Sequence, residues 1–403
     1  MKIGIIREGK TPPDSRVPLI PEQCAYILAH FQGIELKVQP SPIRCYPDDA
    51  YRHQNIPLQE DLSDCDVLMG VKEVPIEQLI PEKTYFFFSH TIKEQIYNRP
   101  LLQAILQKRI RLIDYEVLTD AKGKRLIAFG KFAGMVGAHN GIMTYGQRTK
   151  QFELQRMKHF LDYAEARAAY QRLKLPAMKI VLTGTGRVGQ GAALVLRDMG
   201  IREVSPQAFL KKDFGEAVFT QLRCRDYVAR KDDAPFDKKD FYNNPKAYKS
   251  IFVPYAQAAD LMVNGIYWDN EAPAFFTKAE MQAPAFKLQV IADVTCDIAP
   301  LASIPSTLRA STIAEPVFGY DPVTGAETAP FQAHTIDMMT VDNLPNELPR
   351  DASKAFGKQF IEFILPELLK ESSKIIERAT VAVDGKLGPH FQYLRGYAGL
   401  ADG

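Results

Sequence analysis

Residues 179–200 read KIVLTGTGRVGQGAALVLRDMG, and the fold turns on how that stretch is read. An apolar run, Ile180–Leu182, comes first, and an Ala/Leu-rich segment of helical spacing comes last. Between them Gly184, Gly186 and Gly189 stand at GxGxxG spacing. With strand and helix both in place, the spacing predicts a dinucleotide-binding turn. Glycines there let the backbone approach a pyrophosphate, whose charge then sits at a helix N-terminus. A tight βα turn without a ligand would share the spacing.

The usual companion is an acid about 20 residues on, which holds the adenosine ribose. The run that fits the neighbouring strand, AVFTQL at 217–222, ends instead in Arg223, Cys224 and Arg225. An arginine fork suits a 2′-phosphate. The expected cofactor is therefore NADP(H) in preference to NAD(H), with Arg223 and Arg225 as its contacts. Two arginines solvated at a loop start are the plainer alternative.

Outward from this unit, strand-like and helix-like segments alternate. KIGIIRE, ELKVQP, DVLMGVK, TYFFFSH and RLIDYE read as strands in the first third, separated by amphipathic stretches such as PEQCAYILAHFQ and PLLQAILQKR. Alternation of this kind means a parallel sheet covered on both faces. Downstream, DLMVNGIYW and LQVIADVT continue the second unit. Residues 151–175, QFELQRMKHFLDYAEARAAYQRLKL, read as one long helix ended by Pro176. Residues 223–250 look too polar for core and read as an insertion over a sheet edge. Residues 353–373 are again helical and amphipathic.

The chain has 403 residues, enough for two domains with separate cores. Its 50 basic and 48 acidic residues leave a net charge of +2, so bulk charge makes no case for nucleic acid or a membrane surface. Five scattered cysteines (Cys24, Cys45, Cys65, Cys224, Cys296) with no CxxC pair indicate neither a zinc site nor a disulfide framework. No run approaches the roughly 20 apolar residues of a membrane span, and the apolar run of MKIGIIREGK is shorter than a signal peptide would need, so none is expected. A cytoplasmic protein with reduced thiols is expected.

Two of the strands end on titratable groups, Lys72 and His90. In a parallel sheet, ligands gather beyond the C-terminal strand ends. A partly desolvated lysine has its pKa drawn toward neutrality, and histidine already titrates there. Together they form a candidate pair for moving protons at two atoms of one substrate. Glu73 is read as a charge partner of Lys72 or a plain surface carboxylate, and Glu116, at the end of a third strand on the same edge, as a group that tunes both pKa values and as a candidate substrate contact. Arg16, Lys124 and Arg125 would suit a substrate with several carboxylates. A solvated lysine, a structural histidine and a plain GKR turn are the bland readings of the same residues.

GVKEVP, YFFFSHTIKEQ, RLIDYE, FGKFAGMVGA, VLTGTGRVGQGA, NGIYWDNEAP, ADVTCDI and VDNLPNELPRDAS together resemble the lysine-forming saccharopine dehydrogenases. They resemble most closely the lysine–ketoglutarate reductase half of the bifunctional aminoadipic semialdehyde synthases, and more distantly alanine dehydrogenase and the transhydrogenase α subunit. The resemblance runs from Met1 to about Gly357. It implies that Lys72 and His90 are the catalytic pair. It implies substrate contacts at Arg16, Lys72, Gln95, Phe129, Thr295, Cys296 and Asp297. Cofactor contacts would fall on Arg125 or Lys124, on Gly186, Arg187, Tyr267 and Val294, and on Val341, Asp342, Asn343 and Leu344. Glu73 stands where the bifunctional enzyme has arginine and the monofunctional fungal form has glutamate.

The resulting expectation is an α/β protein of two doubly wound Rossmann-like domains with a cleft between them. Residues 1–140 and 338–403 would form the substrate domain, with the C-terminal helices returning to it, and 141–337 the dinucleotide-binding domain. The expected reaction is the reversible NAD(P)H-dependent reductive condensation of lysine with 2-oxoglutarate to saccharopine. An alanine-dehydrogenase-like reduction of a small keto acid with ammonia, or a non-catalytic NAD(P)-binding protein, are the alternatives. The expected partners are small molecules, with no metal.

Overall fold

The structure is a computed structural model and describes residues 1–400. The chain divides into two compact units: Met1–Phe129 with the stretch from Pro349 onward, and Gly130–Leu348.

The first unit opens with five strands: β1 (Lys2–Ile5), β2 (Glu35–Val38), β3 (Val67–Met69), β4 (Thr84–Phe87) and β5 (Arg111–Asp114). They pair in parallel in the order β5-β4-β3-β1-β2. β3 is buried at every residue and β4 at all but its first, the uniform burial of a sheet covered on both faces. Among the covering helices, Arg99–Gln107 has proline in its first turn and buries Leu101, Leu102 and Ile105. That proline fits because the first-turn N–H groups have no intrahelical partner to lose.

The second unit begins with the helix Gly130–Thr149. Ten strands follow: β6 (Lys179–Thr183), β7 (Arg202–Glu203), β8 (Val218–Leu222), β9 (Val228–Arg230), β10 (Tyr248–Ser250), β11 (Leu261–Asn264), β12 (Val290–Asp293), β13 (Val317–Asp321), β14 (Ala326–Thr328) and β15 (Ile336–Met339). The main sheet runs β14-β13-β15-β12-β11-β6-β8-β7. It is parallel from β15 to β7, with β13 and β14 antiparallel at one edge. β9 and β10 form a separate antiparallel ribbon. From Pro349 the chain rejoins the first unit, where β16 (Thr380–Val383) pairs antiparallel with β5 and β17 (Lys386–Leu387) with β16. The expected α/β class with two parallel-rich sheets, and the return of the C-terminal elements to the first, are both present.

Three expectations need correction. Residues 151–175 are not one helix: only a short turn at Met157–His159 and a helix at Tyr163–Tyr170 form, the latter capped by the Asp162 side chain on the Glu165 N–H. The segment before them folds back on the preceding helix, so close that a Cβ at Gly146 would lie 2.7 Å from the Phe152 carbonyl oxygen. The long helix is instead Gly130–Thr149, whose five glycines argue against helix by propensity. Packing overrides propensity there. A Cβ at Gly134 would lie 1.8 Å from the Val188 carbonyl oxygen, and one at Gly137 2.2 Å from Val294 Cγ2.

The unit boundaries move for the same reason. They lie at Phe129/Gly130 and Leu348/Pro349, not at 140/141 and 337/338, because the glycine-lined helix packs wholly within the second unit. Lastly, the polar stretch 223–250 is mostly exposed and carries the separate β9–β10 ribbon, as an insertion would, but it also sends aromatic side chains into the core. Tyr227, Phe241 and Tyr248 are buried in one cluster with Phe252 and Phe275.

Candidate active site

Each unit carries its own set of candidate side chains. In the first unit, β3 and β4 are parallel neighbours with Met69 opposite Phe86. Beyond the strands the pairing continues: Gly70 N–H donates to the Phe86 carbonyl (2.9 Å) and Phe88 N–H to the Val71 carbonyl (3.0 Å). The segments carrying Lys72 and His90 therefore leave the same sheet edge side by side.

Glu73 joins them. One of its oxygens accepts from His90 Nδ1 at 2.6 Å, and the other from Lys10 Nζ at 2.7 Å. A carboxylate only accepts, so Nδ1 carries a proton and is the donor, which leaves Nε2 as the ring nitrogen turned away from Glu73. Burial alone would raise the Glu73 pKa; the His90 and Lys10 partners overcome it and hold the carboxyl down at about 2. Burial first, and the Arg16 charge second, lower the Lys72 ammonium below its ordinary value.

His90 itself sits in the left-handed region, at φ 54, a costly conformation for a non-glycine residue. Buried Asp114 secures the turn around it. One Asp114 oxygen accepts from Ser89 N–H (3.0 Å) and the Ser89 hydroxyl (2.5 Å), and the other from Glu116 N–H (2.8 Å). Glu116 in turn pairs with Arg125 (2.8 Å) and Lys93 (3.2 Å). Burial would raise its pKa, and those two cations bring it below the ordinary range.

Arg16 is buried, and its Nε and Nη2 donate to the Asp14 carboxylate at 2.9 and 2.5 Å. Its guanidinium lies 4.3 Å from the Phe129 ring centre, and that ring stacks on Phe356. The Arg16 charge is thus already balanced by Asp14. Gln95 is exposed on the loop after His90, its side-chain oxygen accepting from Tyr97. Lys124 is exposed beside Arg125.

In the second unit the three glycines of the turn have separate reasons. Gly184 has φ +93, and a Cβ there would meet the Gly265 carbonyl at 2.4 Å. A Cβ at Gly189 would lie 2.1 Å from the Gly184 carbonyl oxygen. At Gly186, the N-cap of the helix Arg187–Asp198, it would meet nothing within 4 Å. The first and third glycines are demanded by the protein's own packing, while the second leaves open room at a helix N-terminus. That is the arrangement a pyrophosphate needs, so the residues present fit a dinucleotide.

β8 is hydrogen-bonded to β6, and the Leu222 carbonyl accepts from Gly184 N–H. Arg223 and Arg225 follow, both exposed. Sequence reasoning overlooked Asp226, which stands just past them and caps Arg223 N–H at 2.7 Å.

The remaining expected residues gather after β11 and β12. Tyr267 is exposed, and the Thr295 hydroxyl donates to the Ile266 carbonyl at 2.8 Å. Cys296 takes φ 58, and its thiol, pushed upward by burial, donates to the Thr340 carbonyl. Burial and neighbouring Asp293 lift Asp297 to about 6. The side chains of Val341 and Leu344 are buried, whereas Asp342 is exposed and Asn343 half-buried. Val294 packs toward Gly137.

Several contributors escaped the sequence reading: Glu8, Lys10, Asp14 and Asp114 in the first unit, and the buried Asn140, Arg156 and Glu347 in the second. Glu347 closes the VDNLPNE segment by accepting from Arg156 Nε (2.8 Å) and Asn140 (3.0 Å). The signal for Glu8, Lys10 and Asp14 was the charge density of REGKTPPDSR. Asn140 and Arg156 carried none, because they lie in stretches whose elements were misread.

Comparison with known proteins agrees with this architecture. Residues 4–136 match the family described as alanine dehydrogenase/PNT, N-terminal domain. The chain is 32% identical to the alpha-aminoadipic semialdehyde synthase of Arabidopsis thaliana, over 97% of this chain and 41% of that protein. It is 26% identical to the saccharopine dehydrogenase [NAD(+), L-lysine-forming] of Emericella nidulans, over 94% of this chain and 95% of that protein. The chain thus spans less than half the length of the synthase and nearly all of the fungal dehydrogenase. Among solved structures, an L-alanine dehydrogenase shares the fold, with TM-score 0.67, 15% identity, and 98% and 99% of the two chains covered. Among the described residues no helix is long and apolar enough to cross a membrane.

Proposed function

We propose that this chain, a homologue of the lysine-forming saccharopine dehydrogenases and aminoadipic semialdehyde synthases, catalyses the reversible reductive condensation of L-lysine with 2-oxoglutarate to saccharopine. The single observation that carries the reading is the Glu73–His90 pair beside Lys72 on adjacent strand exits. It supplies a base oriented by a carboxylate and a lysine with a lowered pKa, two groups suited to opposite proton transfers.

In this reading His90 Nε2 takes the proton from the lysine ε-amine as it adds to the keto carbon. His90 returns that proton to the alkoxide oxygen, and Lys72, as the ammonium, gives the second proton to the resulting carbinolamine hydroxyl, so that water leaves and an iminium that keeps one N–H remains. A bound nicotinamide coenzyme would supply hydride to the iminium carbon, and the Gly184–Gly189 turn with Arg187 would hold its pyrophosphate. The Arg16–Asp14 pair and the Arg125–Glu116–Lys93 cluster would receive substrate carboxylates, with Gln95 and Phe129 beside them. Thr295, Cys296 and Asp297, with Tyr267, Val294 and the 341–344 segment, would complete the contacts in the second unit.

Exposed Arg223 and Arg225 at the β8 exit favour NADP(H), whereas the lysine-forming relatives are named for NAD(+). Loss of nicotinamide absorbance with lysine and 2-oxoglutarate, against pyruvate and ammonia, tests the reaction with either reduced coenzyme. Turnover with the first pair alone supports the reading. Turnover with the second alone moves the chain to the alanine-dehydrogenase reaction. Tight coenzyme binding without turnover on either leaves a binding protein.

A further inference from the structure

We propose that Glu8 is a positioning residue that fixes the main chain at the point where Lys72 leaves β3. The inference rests on the reading of Lys72 as a proton carrier, and it adds a residue that neither the motifs nor the resemblance singled out.

β1 and β3 pair through Ile5 and Met69, and Ile6 N–H continues the ladder to the Met69 carbonyl. Glu8 therefore runs alongside the β3 exit. One of its oxygens accepts from Val71 N–H at 2.6 Å and the other from Lys72 N–H at 2.9 Å. On the opposite side, the Val71 carbonyl accepts from Phe88 N–H in the segment leading to His90. The two residues at the turn are thus suspended between the β4 exit and a single side chain. Both Glu8 oxygens act as acceptors, and the carboxylate offers two strong ones where the protonated acid offers one strong acceptor and a donor.

The titratable and charged groups facing Glu8 are Asp14, Arg16 and Tyr115. Burial, and then Asp14, push the Glu8 pKa up to about 8, against the two N–H donors and Arg16. The Tyr115 phenol is fully buried and its hydroxyl has no hydrogen-bond partner, so nothing from that side favours the carboxylate. Protonating Glu8 turns one acceptor oxygen into a donor and releases one of the two N–H groups. The hold on Lys72 then tightens as pH rises through that ionisation.

The test compares Glu8→Gln with wild type in turnover against pH, and in acetylation of Lys72 by acetic anhydride read by peptide mass. Glutamine keeps the volume but presents one acceptor, so folding is retained, as a melting curve checks. The expected result is turnover roughly 10–100-fold lower, the order expected for a displaced catalytic group. The coenzyme Kd stays unchanged, the ionisation near pH 8 disappears from the profile, and the Lys72 acetylation rate shifts several-fold. Wild-type turnover, profile and acetylation in Glu8→Gln overturn the proposal. Full turnover in Lys72→Met would instead overturn the functional reading, and the acetylation rate would still report whether Glu8 positions the lysine.

Discussion

The Lys72–His90 edge and the Gly184–Gly189 turn both lie where a central parallel strand leaves its sheet, and they are made specific by opposite means. At the first, side chains do the work: Glu73, Lys10, Glu8 and Asp114 each satisfy a donor or hold a charge. At the second, absent side chains do it: Cβ atoms at Gly184 and Gly189 would collide with main chain, and at Gly186 open space remains. Edges of the first kind tune protonation, whereas turns of the second kind admit a ligand's charge to a helix end. Substitutions should therefore separate chemistry from binding at one edge, and stability from binding at the other.

The largest separation is expected at Lys72 and His90, the proposed proton carriers. Lys72→Met or His90→Gln should lower turnover by roughly 10²–10⁴-fold while the coenzyme Kd stays within about twofold of wild type. Full turnover in either variant removes that residue from the chemistry. The glycines come next. Gly134→Ala drives a methyl into the Val188 main chain and should cost about 3 kcal/mol or more by denaturant titration. Gly186→Ala should cost less than about 1 kcal/mol of stability, yet weaken coenzyme at least about tenfold by closing the approach to the pyrophosphate. A Gly186→Ala protein that binds coenzyme normally would contradict the role given to that opening.

The same contrast explains what could be read in advance. Parallel strands announce themselves because both faces are buried, so Val67–Met69 and Thr84–Phe87 were visible as apolar runs, and Lys72 and His90 as the charges that end them. The glycine turn was legible because its spacing is local. The helix Gly130–Thr149 was not: its glycines serve contacts with Val188 and Val294, residues distant in sequence, and local propensity points the other way. Residues 151–175 failed for the converse reason. Their helical periodicity is real, but Arg156 is drawn inward by Glu347, far along the chain. Partners at such separation also hid Glu8 and Asp114, since a carboxylate that accepts main-chain N–H groups looks in sequence like any surface acid.

A smaller effect should appear in acid. The Glu73 carboxyl is held at about 2, below its ordinary 4.5. A depressed carboxylate pKa stabilises the fold above the unfolded value, and that contribution is lost as pH falls through the folded one. Glu73→Gln should therefore be less stable than wild type by about 3 kcal/mol at neutral pH, with the gap closing between about pH 5 and pH 2. Denaturant midpoints across that range check it. A gap that stays constant with pH would mean that Glu73 packs rather than pairs, and the first edge would lose its claim to be built from charge.

The smallest effect belongs to the two arginines that follow β8. Both are exposed, so solvent and salt screen whatever they hold. Asp226 also accepts the Arg223 N–H and lies 4.0 Å from Arg225 Nε, which balances part of their charge. Replacing both with glutamine should raise the KM for NADPH about tenfold and leave that for NADH nearly unchanged, with the difference shrinking as salt is added. If NADH is already the better coenzyme and the double variant changes neither constant, the arginines are solvated loop residues. The second edge would then select its ligand through glycine geometry alone, with no side chain contributing to the choice.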